Sequence, residues 1–193
     1  MKQVILRLLL AFIFLLPLVS SAEAAESYTL DPGHSYVLWR ISHFGFSHPT
    51  GKWYVNGMVI LDKTKPENSK VNVTIQMAGI DTGIAKLDEH LKSQDFFDVK
   101  TFPTATFVSN KVKMIGKDSA KVYGTLTLHG VSKPIMLDVK LNKLGMNPIS
   151  NKETAGFSVT TKLKRSDFNI KAYLPGLGDD VDISIESEAN KSS

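Results

Sequence analysis

The chain has 193 residues, of which 42% are hydrophobic and 22% are charged, and its formal net charge is +4. This composition is ordinary for a single globular domain, and it excludes a disordered, collagen-like or disulfide-rich chain. The absence of cysteine excludes disulfides, thiolate metal sites, thiol nucleophiles and cysteine-linked lipid anchors. The basic residues are scattered along the chain, which predicts no nucleic-acid partner.

The first 24 residues have the layout of an export signal. Lys2 and Arg7 form a short positive region, an apolar run occupies residues 8–19, and small residues follow. The run is shorter than the about 20 apolar residues that a membrane-spanning helix needs. We therefore expect the segment to be removed before Ala25, with removal before Glu23 or an uncleaved membrane anchor as alternatives.

Residues 25–193 are expected to form one domain, and most of this segment alternates apolar and polar residues with a period of two. That alternation is typical of a half-buried β-strand, whose successive side chains point to opposite faces. Eight such runs are present, and a short ninth run, Tyr28–Leu30, adds to the first of them. The eight runs cover residues 37–41, 53–61, 71–77, 105–107, 122–128, 135–141, 157–163 and 181–185.

One segment departs from this pattern. Ile84, Leu87 and Leu91 recur at helical spacing, which predicts one short helix from about residue 83 to residue 93. Asp81 or Thr82 is the expected N-cap residue, because a side-chain oxygen there can accept from a free amide of the first turn.

Turn residues separate the strands. His129-Gly130 predicts a two-residue hairpin turn, because glycine adopts positive φ readily and histidine does so tolerably. Pro134 lacks an amide hydrogen, so we expect the following strand to begin late or to lie at an edge. About eight antiparallel strands with one apolar face form either a sandwich or a barrel, and we favour an all-β barrel because closure removes exposed edges.

Several motifs along the chain carry a family resemblance. In order and spacing they resemble the YceI-like family of polyisoprenoid-binding periplasmic proteins, over residues 27–188. The motifs are Tyr28-Thr29-Leu30-Asp31, His34-Ser35, Val37-Leu38-Trp39, His43-Phe44-Gly45, Gly51-Lys52-Trp53, the run from His90 to Phe97, the run from Phe102 to Ser109, the run from Gly124 to Val131, and Arg165-Ser166-Asp167-Phe168. Many relatives carry glycine after the last motif, where this chain has Asn169.

The resemblance implies a lipocalin-like antiparallel β-barrel with an elongated apolar cavity. It also implies a periplasmic carrier or store for a long isoprenoid lipid, either an isoprenoid quinone or a polyprenyl lipid. The alternative is a periplasmic stress-response or interaction protein whose cavity is incidental. Transient contact with a membrane and formation of a homodimer are left open.

The expected cavity is lined by inward positions of the strands and by aromatic residues near strand ends. A packed core without a cavity is the alternative, since a small barrel must be filled. The expected lining residues are Val37, Trp39, Ile41, Phe44, Trp53, Val55, Phe96, Phe97, Phe107, Leu126, Leu128, Phe157, Val159, Phe168 and Ile183.

Four polar residues are candidates for head-group contacts at the cavity mouth: His34, His43, Arg165 and Asp167. For the histidines the alternative is structural hydrogen bonding at strand ends. Arg165 and Asp167 share parity on a segment expected to be extended, so an ion pair between them is their alternative.

No catalytic or metal-binding role is expected. The histidines lack a recognised ligand spacing, so we predict no metal. His34 and Ser35 are adjacent and would face apart on a strand, and no known catalytic motif is present. The sequence therefore predicts a binding protein with no catalytic cofactor, not an enzyme.

Overall fold

The computed structural model describes residues 25–192, so the expected export signal lies outside the described residues. Residues 25–192 form nine antiparallel strands and one α-helix. The strands are β1 (Glu26–Leu30), β2 (Tyr36–His43), β3 (Thr50–Leu61), β4 (Lys70–Gln76), β5 (Thr104–Met114), β6 (Ser119–Leu128), β7 (Val131–Met146), β8 (Glu153–Lys164) and β9 (Leu177–Lys191), and the helix is α1 (Ala85–Lys92). Short 3-10 turns occupy Pro66–Asn68, Met77–Gly79 and Arg165–Phe168.

The strands close into a barrel. Their order is β1-β3-β2-β9-β8-β7-β6-β5-β4, and β4 pairs with β3 to complete the circle. β1 and β2 both lie between β3 and β9, at different heights, and run in the same direction. They form one interrupted strand, so the barrel has eight positions. This confirms the predicted all-β barrel, including the short run that adds to the first strand.

The two ends of the barrel differ. The hairpin end carries the connections β3–β4, β5–β6 and β7–β8 and the start of β1. The helix end carries α1, the connection between β2 and β3, and the segment from Arg165 to Leu177. These two names are used below.

The hairpin between β6 and β7 has the predicted two-residue turn. His129 and Gly130 both have positive φ, 51° and 72°, as a type I′ turn requires. β7 begins directly at Val131 and so does not start late, but the alternative expectation is confirmed, because residues 131–137 pair with β6 alone and Pro134 lies at an edge. Along an antiparallel hairpin, hydrogen-bonded residue pairs alternate with pairs that share no hydrogen bond. Thr125–Pro134 is a pair of the second kind, so β6 needs no amide hydrogen from Pro134. Its nitrogen faces away from β6, and pairing with β8 starts only at Asp138.

The helix is shorter than predicted, and its N-cap differs. The N-cap is Ile84, without a side-chain hydrogen bond, because Gly83 at φ 76° separates Thr82 from the first turn. Thr82 instead donates from its amide and hydroxyl to Asp88 Oδ1, at 2.8 and 2.6 Å. Within residues 25–192, no helix is long and apolar enough to cross a membrane.

Candidate functional site

The inward faces of the strands enclose a long apolar cavity. Its volume is about 900 Å³, and its lining extends from the helix end to the hairpin end. Ile183 and Ile185 point inward in a closed barrel and yet remain partly exposed, because they face this cavity. At roughly 30 Å³ per heavy atom, the volume of a water in the liquid, the cavity holds about 30 heavy atoms.

Every residue that the sequence analysis placed in a cavity borders this one. Burial within the set is uneven: Val55 is 3% exposed, whereas Phe44 is 51% exposed at the rim of the helix end. The set is Val37, Trp39, Ile41, Phe44, Trp53, Val55, Phe96, Phe97, Phe107, Leu126, Leu128, Phe157, Val159, Phe168 and Ile183.

Sequence reasoning missed further lining residues. Those on strands, for example on β4 and β7, follow the same alternation that identified the others, so a signal for them was present. Others lie on the helix and irregular segments, where no period marks the inward side. The additional residues include Val71, Val73, Ile75, Leu137, Val139, Met77, Leu87, Leu91 and Ile170.

Two tryptophans form an aromatic layer near the helix end. Trp53 Nε1 donates to the Met77 carbonyl at 3.1 Å, and Phe97 meets the Trp53 ring edge-on, with centroids 5.1 Å apart. The ring centroids of Trp39 and Trp53 lie 6.5 Å apart. The Trp39 ring packs against Gly51, where an added Cβ would come within 2.5 Å of it. Glycine at position 51 therefore makes room for the Trp39 indole.

Helix α1 and aromatic side chains cover part of the helix end. Leu91 of α1 is buried, and Phe96, which is 6% exposed, lies beneath the helix exit. The rings of His90 and Tyr173 pack on Phe96, with centroid distances of 5.1 and 6.1 Å. Exposed His43 also borders the cavity, so the cavity reaches the surface beside this cover.

A network of charged side chains closes one side of the hairpin end. Lys63 Nζ lies 2.5 Å from Glu26 Oε2 and 2.6 Å from Glu153 Oε1. The hydroxyl of fully buried Tyr28 lies 3.0 Å from Glu26 Oε2 and also contacts Glu153. Lys191 pairs with Glu26. The network therefore connects β1, β8 and β9 to the residues that follow β3.

The charges of this network are set by its own contacts. Hydrogen bonds from Lys191 and Lys63 lower the pKa of Glu26 to about 2. Burial and the neighbouring carboxylates raise the pKa of Tyr28. A hydrogen bond from Lys63 likewise lowers the pKa of Glu153. At neutral pH both glutamates are therefore ionised, and the tyrosine is neutral.

Two of the four predicted mouth residues lie away from the cavity. His34 is in the turn between β1 and β2, not on a strand, and its Nδ1 is 3.2 Å from Asp31 Oδ2. Asp167 is exposed and pairs with Lys133 at 3.2 Å. The expected pairing of Asp167 with Arg165 is wrong, because residues 165–168 form a 3-10 turn instead of an extended segment.

Arg165 borders the cavity but uses its guanidinium elsewhere. It is 6% exposed, and it donates to the carbonyls of Gly178, Ile170 and Leu177 at 2.7, 3.1 and 2.9 Å. Burial lowers the pKa of Arg165 from its usual value. Its contacts hold the segment between β8 and β9 in place. Asn169 follows this turn in the left-handed conformation, at φ 63°, which asparagine tolerates.

The cavity interior offers few free polar groups. Thr161 borders it, but its hydroxyl donates to the Met136 carbonyl at 2.9 Å. Among residues 25–192, no three histidine or carboxylate side chains are grouped as a metal site requires. The chemistry available inside the cavity is therefore mainly apolar contact.

Comparison with known proteins identifies relatives along nearly the whole described chain. The family model of the YceI-like domain matches residues 28–189. A UPF0312 protein of Pseudomonas putida strain W619 is 42% identical over 182 residues, covering 90% of this chain and 93% of the relative. The crystal structure of the Campylobacter jejuni YceI protein is 35% identical, with a TM-score of 0.72, and covers 79% of this chain and 90% of that one.

A more distant structure shares the fold. It is a polyisoprenoid binding domain from Saccharophagus degradans implicated in plant cell wall breakdown, with 17% identity and a TM-score of 0.65. The alignment covers 86% of this chain and 99% of that chain. The extent of the family match and the identity to the Pseudomonas relative, together with the closed barrel, show that this chain belongs to the YceI-like family.

Proposed function

We propose that this protein binds a long isoprenoid lipid, either a quinone or a polyprenyl lipid, and acts as a periplasmic carrier or store. The observation that carries the proposal is the apolar cavity of about 900 Å³ that extends along the closed barrel. Its capacity of about 30 heavy atoms corresponds to about six five-carbon units. An extended, branched hydrocarbon chain suits a cavity lined along its length by aliphatic and aromatic side chains.

The distant structural relative supports the ligand class. The Saccharophagus degradans domain, which shares this fold, is described as polyisoprenoid binding. The two chains are only 17% identical, so the ligand is inferred for this protein from the cavity and the shared fold together. The expected export signal supports a periplasmic location.

The small free energy of transfer from a bilayer favours reversible binding, as in a carrier or store, over irreversible capture of the lipid. Burying one methylene group from water contributes about 0.8 kcal/mol, so a five-carbon unit contributes roughly 3–4 kcal/mol. A lipid taken from a bilayer is already out of water, and its transfer into an apolar cavity gains little from this effect. Loading from a membrane is therefore readily reversed, as delivery requires.

Mass spectrometry tests the ligand directly. The protein is purified from its native host without detergent, extracted with organic solvent, and the extract is compared with that of the total membrane. We expect one isoprenoid lipid to be enriched far above its share of membrane lipid. An extract without lipid, or one that reproduces the membrane composition, contradicts the proposal.

A pair of neighbouring substitutions tests the location of the lipid. Val159 points into the barrel and is 8% exposed, whereas Thr160 points outward and is exposed. We expect Val159→Trp to obstruct the cavity and lower lipid occupancy several-fold, and Thr160→Trp to leave it unchanged. Circular dichroism and cooperative unfolding verify that both variants fold. Equal occupancy in two folded variants would place the lipid outside the cavity.

A further inference from the structure

We propose that the hairpin end of the barrel docks on an anionic lipid bilayer, through apolar turn residues surrounded by unpaired lysines. The inference rests on the proposed function, since a lipid carrier must exchange its ligand with a membrane. It adds which surface of the molecule makes that contact. Three kinds of observation on the hairpin end support it: exposed apolar residues, excess positive charge, and the adjoining cavity.

Large apolar side chains project from two turns at the hairpin end. Ile115 in the β5–β6 turn is 54% exposed, Met146 at the end of β7 is 62% exposed, and Ile149 in the β7–β8 turn is 90% exposed. The second turn is ordered by its own hydrogen bonds, because Asn147 Oδ1 accepts from the amides of Ile149 and Ser150 at 2.9 and 3.2 Å. Ile149 is thus held outward, in the position of a residue that inserts among lipid chains.

The same end carries uncompensated positive charge. Glu26 and Glu153 at this end pair with lysines, whereas Asp62 Oδ1 accepts the backbone amide of Lys65 at 2.7 Å and keeps its charge. Asp62, Glu67 and Asp118 are the acidic residues there that form no ion pair within residues 25–192. Seven lysines at or near this end form no ion pair within residues 25–192: Lys65, Lys70, Lys113, Lys117, Lys140, Lys143 and Lys152.

The cavity reaches the surface between these turns. Lys117 and Asp118, in the exposed β5–β6 turn, border the cavity, as does Pro66 in the β3–β4 connection. A bilayer in contact with Ile115 and Ile149 would therefore lie against this opening. Apolar insertion and attraction between lysines and lipid phosphates would act together, as they do in peripheral membrane proteins.

The helix end is the competing surface, because Phe46 there is 91% exposed. Lysines there are offset by carboxylates. Lys133 pairs with Asp167 at 3.2 Å and Lys164 with Asp180 at 3.0 Å. Among the described residues of this end, the lysines without an ion pair, Lys86, Lys100 and Lys171, are accompanied by the unpaired aspartates Asp88 and Asp98. A balanced surface gains little attraction to anionic lipid. Phe46 does not border the cavity, which makes it a matched control for Ile149.

Vesicle co-sedimentation tests the proposal on the protein as purified from its host. The vesicles contain phosphatidylcholine alone or phosphatidylcholine mixed with phosphatidylglycerol. We expect binding to the mixed vesicles that weakens as salt is added. Ile149→Ser should weaken it about tenfold through lost apolar insertion. Lys143→Gln and Lys152→Gln should each weaken it about fivefold, and Phe46→Ser should leave it unchanged.

Two results would overturn the docking proposal: no binding to the mixed vesicles, or a loss of binding in Phe46→Ser with Ile149→Ser unaffected. The lipid content of the same preparations is also measured, because it distinguishes failure of the docking proposal from failure of the proposed function. A lipid-loaded protein that does not bind vesicles refutes docking alone. A lipid-free protein refutes the carrier function whatever its behaviour toward vesicles.

Discussion

Replacing Arg165 with methionine distinguishes a structural role from a head-group contact. Sequence reasoning placed Arg165 at the cavity mouth, whereas in the structure its guanidinium donates to the carbonyls of Gly178, Ile170 and Leu177. Methionine spans the arginine side chain only as far as Nε, and it removes all three donors. The three carbonyls would lose their partner within a site where Arg165 itself is 6% exposed.

The expected cost follows from those lost donors. Leaving one buried polar group without a partner costs about 1–3 kcal/mol, and water recovers part of this near the barrel end. We expect Arg165→Met to lower the free energy of unfolding by about 3–5 kcal/mol. For a domain of this size each 1 kcal/mol lowers Tm by roughly 2–4 °C, so Tm should fall by roughly 6–20 °C.

Urea and thermal denaturation, followed by tryptophan fluorescence, measure this change. Lys164→Met is the matched control: this neighbouring side chain is 57% exposed and pairs with Asp180 on the surface, so its removal should cost about 1 kcal/mol or less. An Arg165→Met protein as stable as the wild type would refute the structural assignment. If that variant also lost lipid, the head-group role would be supported instead.

Three further predictions concern other parts of the barrel. Asn169→Val should destabilise the protein by roughly 1–2 kcal/mol in urea denaturation, because a β-branched residue resists the φ of 63° there, and Asn169→Gly should not. Glu26 has a pKa of about 2 in the folded state against 4.5 for the ordinary group, so it contributes stability above pH 4.5 that is lost as the pH falls toward 2. Unfolding measured across that range should therefore depend less on pH in Glu26→Gln, and an unchanged slope would contradict this. Gly51→Val should lower Tm and alter tryptophan emission, because its Cβ would fall within 2.5 Å of the Trp39 ring; wild-type values would show that the indole has room to move.

Local sequence patterns were sufficient for much of the fold. Alternation along β2 identified Val37, Trp39 and Ile41 as inward residues, because side-chain direction in a strand depends only on position along it. His129-Gly130 identified a hairpin turn for an equally local reason, since both residues must adopt positive φ. Even Asn169, a departure from the glycine of many relatives, keeps the left-handed geometry of its turn.

Other features depend on segments that are distant in the chain. The hydrogen bonds of Arg165 could not be predicted, because its three carbonyl partners lie on the 170–178 segment and its own backbone forms a 3-10 turn. The Glu26–Lys63–Glu153 network joins residues more than a hundred positions apart, and no periodic pattern reveals it. The unpaired lysines of the hairpin end likewise come from three separate connections and from the strands beside them.

Which side chains face inward and where the strands turn can be predicted from sequence, because both depend on alternation and backbone conformation within a few residues. That the inward faces enclose an open cavity follows from the closed barrel and not from any local pattern. A cavity of about 900 Å³ results from closing eight strand positions into one circle, with β1 and β2 sharing a position and β4 pairing with β3. The same apolar residues on an open or more tightly packed sheet would have filled the space between them.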